Sequence, residues 1–560
     1  MRLLFSFAAA LLLAPTLLAQ AAHGPVGVNT SGGPLDPDQA RYDVTYYDLD
    51  LTVEPALRRI GGTLVAHGTA TSPLDVVVLD LAPNFEVMAA RAGEAPATFT
   101  RPEGRIRVDL GRTLQPGEPF AVAVDYGGKP RAAVRAPWDG GFVWAETESG
   151  EPWVGVAVQG EGADLWWPVK DHPSDEPDSM RIALTVPDGL VAASNGRLRD
   201  TRPASGSGTT YEWFVSTPIN NYGVTLNIGP YRVLGAPYTS TAGVNMPITF
   251  YVLPERADAA EALLPQVADH LNFFERRFGP YPWRADKYAV AHSPYLGMEH
   301  QTLIAYGSTF DDGDRGYDWL HHHELAHEWW GNLVTAADWR DFWIHEGFAI
   351  YTEAMYAEEL FGPEGYRANL QRIRPALLNQ KPVAPLEPRT TDQMYFGEDG
   401  QSDGDIYYKG GRILHTLRWA AGDDDAFFRA LRRFAYPTEA MEATADGSAA
   451  RFVSTEDFRR TYERETGVDA RALFAVYLRQ PDLPTLTASR EADGLALYWN
   501  VPKGALPPGL TFDLPVEVAV TDAAGTERRV RVPMTGGAGA VPLAAGETFA
   551  VDPDGWLLVE

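Results

Sequence analysis

Hydrophobic and polar residues follow three successive patterns along this chain, and each pattern predicts a different kind of structure. From Tyr42 to about residue 248 they alternate in short runs such as YDVTYYDLDLTV and FAVAVDY, which is typical of half-buried β-strands. From Tyr251 onwards apolar residues recur at helical spacing, as in ADAAEALLPQVADHLNFFERRF before Gly279. Beyond Pro484 the strand pattern returns in runs such as GLALYWNV and PVEVAV.

These patterns predict a multidomain α+β protein, because 560 residues exceed the size of one ordinary domain. We expect an N-terminal all-β domain over residues 22–250 and a mixed α/β domain over residues 251–482. A small C-terminal β-sandwich is expected over residues 483–560, and residues 1–21 are predicted to be a signal peptide.

The first residues, MRLLFSFAAALLLAPTLLAQAAHG, have the pattern of a signal peptide. A basic residue, Arg2, precedes an apolar stretch, and the small residues around Gln20 favour cleavage after Ala21. The alternative is an uncleaved membrane anchor, which Pro15 and the short apolar run disfavour. We therefore expect an exported protein, periplasmic or secreted, with no stable membrane span after cleavage.

The composition narrows the possible partners and the possible chemistry. A net charge of -28 argues against nucleic acid as a partner, because binding to phosphates requires positive charge. The chain has no cysteine, so disulfides and thiolate catalysis are excluded. The acidic surface, on which arginine greatly outnumbers lysine, fits either adaptation to salt or a GC-rich genome.

One motif carries candidate catalytic chemistry. His323, Glu324 and His327 form H-E-x-x-H, and Glu346 follows after eighteen intervening residues. Two histidines four residues apart on a helix share one face, so both rings can bind one ion. A carboxylate from a second helix supplies a third ligand and leaves one coordination position open, as catalytic zinc requires. Glu324 would then stand beside the attacking water and accept its proton.

The surroundings of the motif argue against a chance match on a polar helix. Aromatic residues flank both the histidines and the later glutamate, and we predict that they fill the core between two packed helices: Trp329, Trp330, Phe342, Trp343 and Phe348. Two histidines and a glutamate suit one Zn²⁺ per chain best, although cobalt or manganese could occupy such a site in vitro.

With H-E-x-x-H-x-W-W-G-N and W-I-H-E-G-F-A, the chain resembles the gluzincin metallopeptidases of the aminopeptidase N family. Residues 296–300, LGMEH, resemble the family's G-A-M-E-N strand with three replacements, and residues 405–410, DIYYKG, resemble its Y-E-K-G segment. The resemblance extends over most of the chain after residue 40 and is weakest in the last eighty residues. It implies a thermolysin-like fold for the mixed α/β domain.

The resemblance also implies roles for residues outside the zinc motif. Tyr407 matches the tyrosine that stabilises the oxyanion of the tetrahedral intermediate. Glu299, with Gln159, matches the residues that hold the free amino group of a peptide substrate, and a fixed anion is what an ammonium group requires. Gly297 and Met298 are the remaining expected substrate-binding residues.

Several assignments stay open at the level of sequence. Glu161 replaces Gln159 if the alignment there slips by two residues, and Tyr408 is the obvious alternative to Tyr407. Leu296 and His300 depart from the G-A-M-E-N pattern, which puts in doubt any family contact made by those side chains.

Three further residues have more than one plausible role. Met298 either lines a substrate pocket or belongs to the core. Glu353, on the same helix face as Glu346, either orients a histidine ligand or is an exposed helix carboxylate. Lys409 is predicted to be solvated or structural.

The predicted function is therefore that of a zinc aminopeptidase acting on peptides with a free N-terminus. A gluzincin endopeptidase, or an epoxide hydrolase using the same zinc, is an alternative in related chemistry. A non-catalytic, peptide-binding surface protein is the alternative from another class, and the presence of all expected catalytic residues disfavours it.

Overall fold

The computed structural model describes residues 31–397, 400–492 and 494–560. The predicted signal peptide and its cleavage site lie outside the described residues. Within the described ranges, none of the helices combines the length and the apolarity that crossing a bilayer requires.

The N-terminal region is built on an eight-stranded sheet in the order β13-β14-β11-β1-β2-β8-β4-β5. In β1 buried and exposed residues alternate along much of the strand, as the sequence pattern predicts. A three-stranded sheet, β3-β7-β6, and a four-stranded sheet, β12-β15-β10-β9, complete the region. The strands are β1 (Tyr42–Glu54), β2 (Arg59–Ala70), β3 (Leu74–Asp80), β4 (Phe85–Ala92), β5 (Ala95–Pro96), β6 (Phe99–Thr100), β7 (Arg105–Leu114), β8 (Pro119–Gly128), β9 (Gly141–Glu146), β10 (Pro152–Ala157), β11 (Ser179–Val186), β12 (Val191–Ser194), β13 (Arg197–Pro203), β14 (Thr209–Val215) and β15 (Leu226–Gly229).

The next sheet joins strands from both sides of the predicted boundary at residue 250. Its order is β16 (Arg232–Thr239), β17 (Asn245–Val252), β18 (Tyr288–His292), β20 (Ile304–Tyr306) and β19 (Gly297–Met298). Strand β17 pairs in parallel with β18, so residue 250 lies inside a strand of the same sheet that carries Met298. Hydrogen bonding between strands determines to which sheet β17 belongs, and the alternation of residues in the sequence does not reveal that pairing. We therefore propose that the first domain ends near residue 230.

Helices dominate the middle of the chain. They are α1 (Ala257–Phe278), α2 (Trp319–Ala326), α3 (Trp343–Ile373), α4 (Thr391–Tyr395), α5 (Tyr408–Ala421), α6 (Asp424–Ala435), α7 (Glu439–Ala443), α8 (Thr455–Thr466) and α9 (Arg471–Leu478), with the short paired strands β21 (Val334–Ala336) and β22 (Arg451–Val453) between them. Helix α1 ends at Gly279, whose φ of 103° favours glycine. Helix α3 is interrupted at Gly362, where φ is 70° and Pro363 follows.

The C-terminal region consists of two three-stranded sheets, β23-β24-β27 and β26-β25-β28. Buried residues from both sheets, such as Leu497 and Val518, belong to the hydrophobic core. The strands are β23 (Thr485–Glu491), β24 (Gly494–Asn500), β25 (Val516–Thr521), β26 (Glu527–Val532), β27 (Ala538–Pro542) and β28 (Thr548–Val551). The predicted fold class, a multidomain α+β protein with a β-rich N-terminal region and a helical middle, is confirmed.

Candidate metal centre and substrate site

Helix α2 positions the two histidines of the motif. The side chain of Asp318 accepts a hydrogen bond from the backbone N–H of His321 at 2.9 Å, which caps the start of the helix. His323 lies on the last turn, and His327 follows directly after the helix with helical backbone angles. Both rings therefore keep the i, i+4 relation that the sequence predicts.

Helix α3 brings Glu346 to the histidines in its first turn. Close packing of α3 on α5 makes this placement possible, because the two helices touch through glycines. A Cβ built on Gly347 would lie 2.9 Å from the Cα of Gly410, and the reverse distance is the same. Any larger residue at either position would push the helices apart, and with them Glu346 and Tyr407.

The three predicted ligands converge on one point. The Nε2 atoms of His323 and His327 are 3.3 Å apart, and Glu346 Oε2 lies 3.7 and 3.6 Å from them. Ligands about 2.1 Å from a tetrahedral ion stand roughly 3.4 Å apart, so these distances suit zinc. Glu346 Oε2 is buried and has no hydrogen-bond partner within the described part of the chain, which leaves it free to bind a metal. The donor set thus fits the predicted ion.

The other nitrogen of each histidine is held by a partner that aims the ring. His327 Nδ1 lies 2.9 Å from the backbone oxygen of Trp330, and His323 Nδ1 lies 3.1 Å from Glu353 Oε1. Glu353 is buried and its second oxygen pairs with Arg315. Burial alone would raise the pKa of the Glu353 carboxyl, but Arg315 and His323 lower it to about 2. Glu353 therefore contacts a predicted ligand, as an orienting carboxylate would, and the interpretation as an exposed helix carboxylate is wrong.

Glu324 faces Gly297 of strand β19, which ends immediately before Glu299. A Cβ built on Gly297 would overlap Glu324 Oε1 and lie 2.8 Å from Leu320 Cδ1, so a side chain at residue 297 would displace the carboxylate. Glycine at this position therefore leaves room for the predicted base. Burial raises the pKa of the Glu324 carboxyl to about 8, and repulsion from Glu346 adds to the rise.

Glu299 forms a buried carboxylate beside the metal ligands. Oxygens of Glu299 and Glu324 and a ring nitrogen of His327 lie within 4.8 Å of one another. Burial, together with repulsion from Glu346 and Glu324, raises the pKa of the Glu299 carboxyl well above its usual range. A cation bound here would offset both effects.

Two neutral groups orient the Glu299 carboxylate. The side-chain amide of Gln159 donates a hydrogen bond to Oε1, and the hydroxyl of Tyr222 donates to the same oxygen at 3.2 Å. Gln159 thus reaches Glu299 as predicted. Its own oxygen accepts a hydrogen bond from Tyr395 at 2.6 Å and keeps a second lone pair for another donor.

Tyr407 and Tyr408 occupy different surroundings at the start of helix α5. Tyr407 immediately precedes the helix, and its hydroxyl donates to the hydroxyl of Tyr395 at 3.3 Å. Burial, and then the charge of Glu346, raise the pKa of Tyr407 well above its usual range, so it stays a hydrogen-bond donor. Burial also raises the pKa of Tyr408, and among the charged residues Glu353 contributes more to that rise than Glu346.

The remaining predicted residues lie apart from these contacts. Glu161 pairs with Arg131 and accepts a hydrogen bond from the backbone N–H of Gly140 at 2.5 Å, so Gln159 is the residue that meets Glu299. Lys409 is buried and donates to the backbone oxygen of Pro481 at 2.5 Å, which makes it structural and not solvated. Met298 is buried in the core, and its contact with substrate stays a prediction.

Two of the three departures from the family pattern, Leu296 and His300, lie outside the hydrogen bonds of the site. The Leu296 side chain is 37% exposed. His300 is fully buried, and neither ring nitrogen has a hydrogen-bond partner among the described residues. Burial lowers the pKa of His300 to about 3, so this ring is neutral.

Three residues that contact the site carry no signal in the sequence. Tyr222 lies in a short 3-10 turn, Tyr395 ends helix α4, and Arg315 lies in an acidic loop before helix α2. Each is brought to the site by long-range contacts, and none belongs to a motif with fixed spacing.

A thermolysin-like zinc site on a multidomain α+β fold defines the class of this protein, and comparison with known proteins supports that class. Residues 263–469 match the model of the peptidase family M1 domain. The predicted resemblance to the aminopeptidase N family of gluzincin zinc metallopeptidases is confirmed by this domain match, and the prediction of one zinc is confirmed for that family.

The chain is similar to relatives whose names state different activities. It is 30% identical to aminopeptidase B of Mus musculus over 307 residues, which is 52% of this chain and 45% of that protein. It is 27% identical to leukotriene A-4 hydrolase of Xenopus laevis over 270 residues, which is 46% of this chain and 41% of that protein. The matches span less than half the length of either relative.

Among solved structures, the chain is similar to a mutant M1 zinc metallopeptidase from Deinococcus radiodurans bound to a Tyr-Ser-Ala substrate. The TM-score is 0.65 at 25% sequence identity, and the match covers 82% of this chain and 99% of that one. This likeness extends beyond the peptidase domain to most of the described fold.

Proposed function

We propose that this chain is a zinc-dependent aminopeptidase that hydrolyses the N-terminal residue from peptides. The observation that carries the proposal is the buried Glu299 carboxylate, which lies within 4.8 Å of the Glu324 and His327 donor atoms. A fixed, desolvated anion at this place suits the ammonium group of a substrate whose first peptide bond reaches the metal.

The residues that would hold the ion are His323, His327 and Glu346. When bound, zinc supplies a Lewis acid that polarises the scissile carbonyl and makes water more acidic. Glu324 accepts a proton from the attacking water and later delivers it to the leaving amine. Tyr407 donates its hydroxyl hydrogen to the oxygen that becomes negative in the tetrahedral intermediate.

The alternatives differ in what they require of Glu299. An endopeptidase needs no anion for an ammonium group, and a buried carboxylate without a cation would only cost stability. The epoxide hydrolase alternative draws on the similarity to leukotriene A-4 hydrolase, and Glu299 offers no particular recognition of a neutral epoxide. A non-catalytic binding protein would not need Glu324 and Tyr407 beside the same three ligands.

The test combines zinc analysis with turnover. The purified protein is expected to hold one zinc per chain and to hydrolyse an aminoacyl chromogenic substrate, with loss of turnover on chelation and recovery on addition of zinc. Full zinc occupancy without turnover of any aminoacyl substrate would refute the proposal.

Tyr407→Phe is expected to lower kcat about a hundredfold while KM changes only a few-fold, because the lost hydrogen bond forms mainly in the transition state. Tyr408→Phe is the matched control, since it removes the same hydroxyl from the next residue. It should have a far smaller effect on steady-state rates. The reverse ranking of the two variants would place the oxyanion contact on Tyr408.

We also propose export of the chain, on the strength of the N-terminal pattern. Cleavage after Ala21 is expected, and N-terminal sequencing of the protein from its natural host would check it. A mature chain that still begins at Met1 would contradict this proposal.

A further inference from the structure

Tyr395 lies between the proposed ammonium site, formed by Glu299 and Gln159, and the proposed oxyanion residue Tyr407. It is the last residue of α4, whose start is closed by a capping box of Thr390 and Gln393. The hydroxyl of Thr391 donates to the backbone oxygen of Gly160, which fixes the helix beside Gln159. The Tyr395 side chain is buried, and its ring packs edge-on against Phe342 with centroids 5.3 Å apart.

The Tyr395 hydroxyl forms one hydrogen bond with a residue of the ammonium site and one with the oxyanion residue. It donates to Gln159 Oε1 at 2.6 Å and accepts from the Tyr407 hydroxyl at 3.3 Å. Gln159 in turn donates through its amide nitrogen to Glu299. The hydrogen bonds therefore run in one direction, from Tyr407 through Tyr395 and Gln159 to the Glu299 carboxylate.

The direction of these hydrogen bonds fixes how Gln159 is oriented and which hydroxyl groups act as donors. Because the Gln159 oxygen accepts from Tyr395, the amide nitrogen must face Glu299, and the carboxylate is held in one orientation. Burial raises the pKa of Tyr395 well above its usual range, so its hydroxyl remains a donor. At rest Tyr407 is held near the ligands by a weak bond that it can exchange for the oxyanion.

We propose that Tyr395 is a positioning residue that couples recognition of the substrate's amino group to stabilisation of the oxyanion. It acts through Gln159 on the ammonium site and through Tyr407 on the transition state. The inference rests on the proposed aminopeptidase function. It adds that the same residue supports both the recognition of a free N-terminus and the stabilisation of the tetrahedral intermediate.

The experiment uses the zinc-loaded full chain with Tyr395→Phe, which keeps the ring and removes the hydroxyl. We expect kcat to fall about tenfold and Ki for a free amino acid to rise about three- to tenfold, as loss of one buried hydrogen bond implies. The rise in Ki should vanish in a Gln159→Leu background, and the fall in kcat should vanish in a Tyr407→Phe background.

Tyr366→Phe is the matched control for a purely structural effect. Its buried hydroxyl also bonds a tyrosine, Tyr351 at 3.0 Å, and a second side chain, His415 at 2.7 Å, but it contacts none of the site residues named above. It should change the melting temperature without changing kcat or Ki.

The outcomes separate this inference from the proposed function. A zinc-loaded wild type without turnover would overturn the proposed function and the inference with it. An active wild type with Tyr395→Phe kinetically identical to it would overturn the inference alone. The inference would also be overturned if Tyr395→Phe caused the same fold-change in kcat and Ki in both double variants as it does alone. Such independence would show a general loosening of the fold.

Discussion

Glu324→Gln is expected to keep its zinc and to lose turnover by about 10²- to 10⁴-fold, the usual effect of removing a general base. The substitution preserves the shape and the burial of the side chain, and glutamine can still fit beside Gly297. The ligand atoms of His323, His327 and Glu346 are untouched, so metal content should match that of the native protein. Zinc analysis and kcat/KM for one aminoacyl substrate check both expectations.

A ligand variant supplies the contrast. His327→Ala should lose turnover together with zinc, because it removes one of three donors that lie within 3.3 to 3.7 Å of one another. Near-native turnover in zinc-loaded Glu324→Gln would refute the role of Glu324. Loss of zinc from that variant would instead make Glu324 a ligand or a support for one.

Most of the fold could be predicted from the sequence, because its strands and helices have regular periods. Helix α1 ends where Gly279-Pro280 stops the helical pattern, and β1 covers the alternating run from Tyr42. The predicted boundary at residue 250 falls inside β17, which looks like the preceding strands in sequence. Its parallel pairing with β18, which joins residues some forty positions apart, places it in the sheet that carries Met298.

The predicted metal ligands converge because their spacing has a direct geometric meaning on a helix. The supporting residues could not be predicted in the same way. Arg315, Tyr222 and Tyr395 reach the site through tertiary contacts, and no periodic pattern marks them. The glycines of W-I-H-E-G and Y-Y-K-G are intermediate cases: the motifs include them, but only the crossing of α3 and α5 shows why no larger residue fits.

The native enzyme is expected to cleave peptides with a free N-terminus and to spare their N-acetylated counterparts by roughly 30- to 4,000-fold, since leaving a buried charge unpaired costs about 2–5 kcal/mol. Glu299 is 4% exposed, and Gln159 and Tyr222 donate hydrogen bonds that orient it. Acetylation removes the cation that this carboxylate is placed to bind. Paired rates on matched free and acetylated peptides measure the effect.

Glu299→Ala should erase most of that discrimination by slowing the free peptide, without raising the acetylated peptide to the native rate. Zinc should remain, because Glu299 is outside the group formed by His323, His327 and Glu346. Glu161→Gln is the matched control, a buried carboxylate that pairs with Arg131 instead, and it should keep the preference for free N-termini. If the native protein cuts acetylated peptides internally as fast as free ones, the aminopeptidase proposal fails even where the zinc chemistry stands, because Glu299 would then have no ammonium to bind.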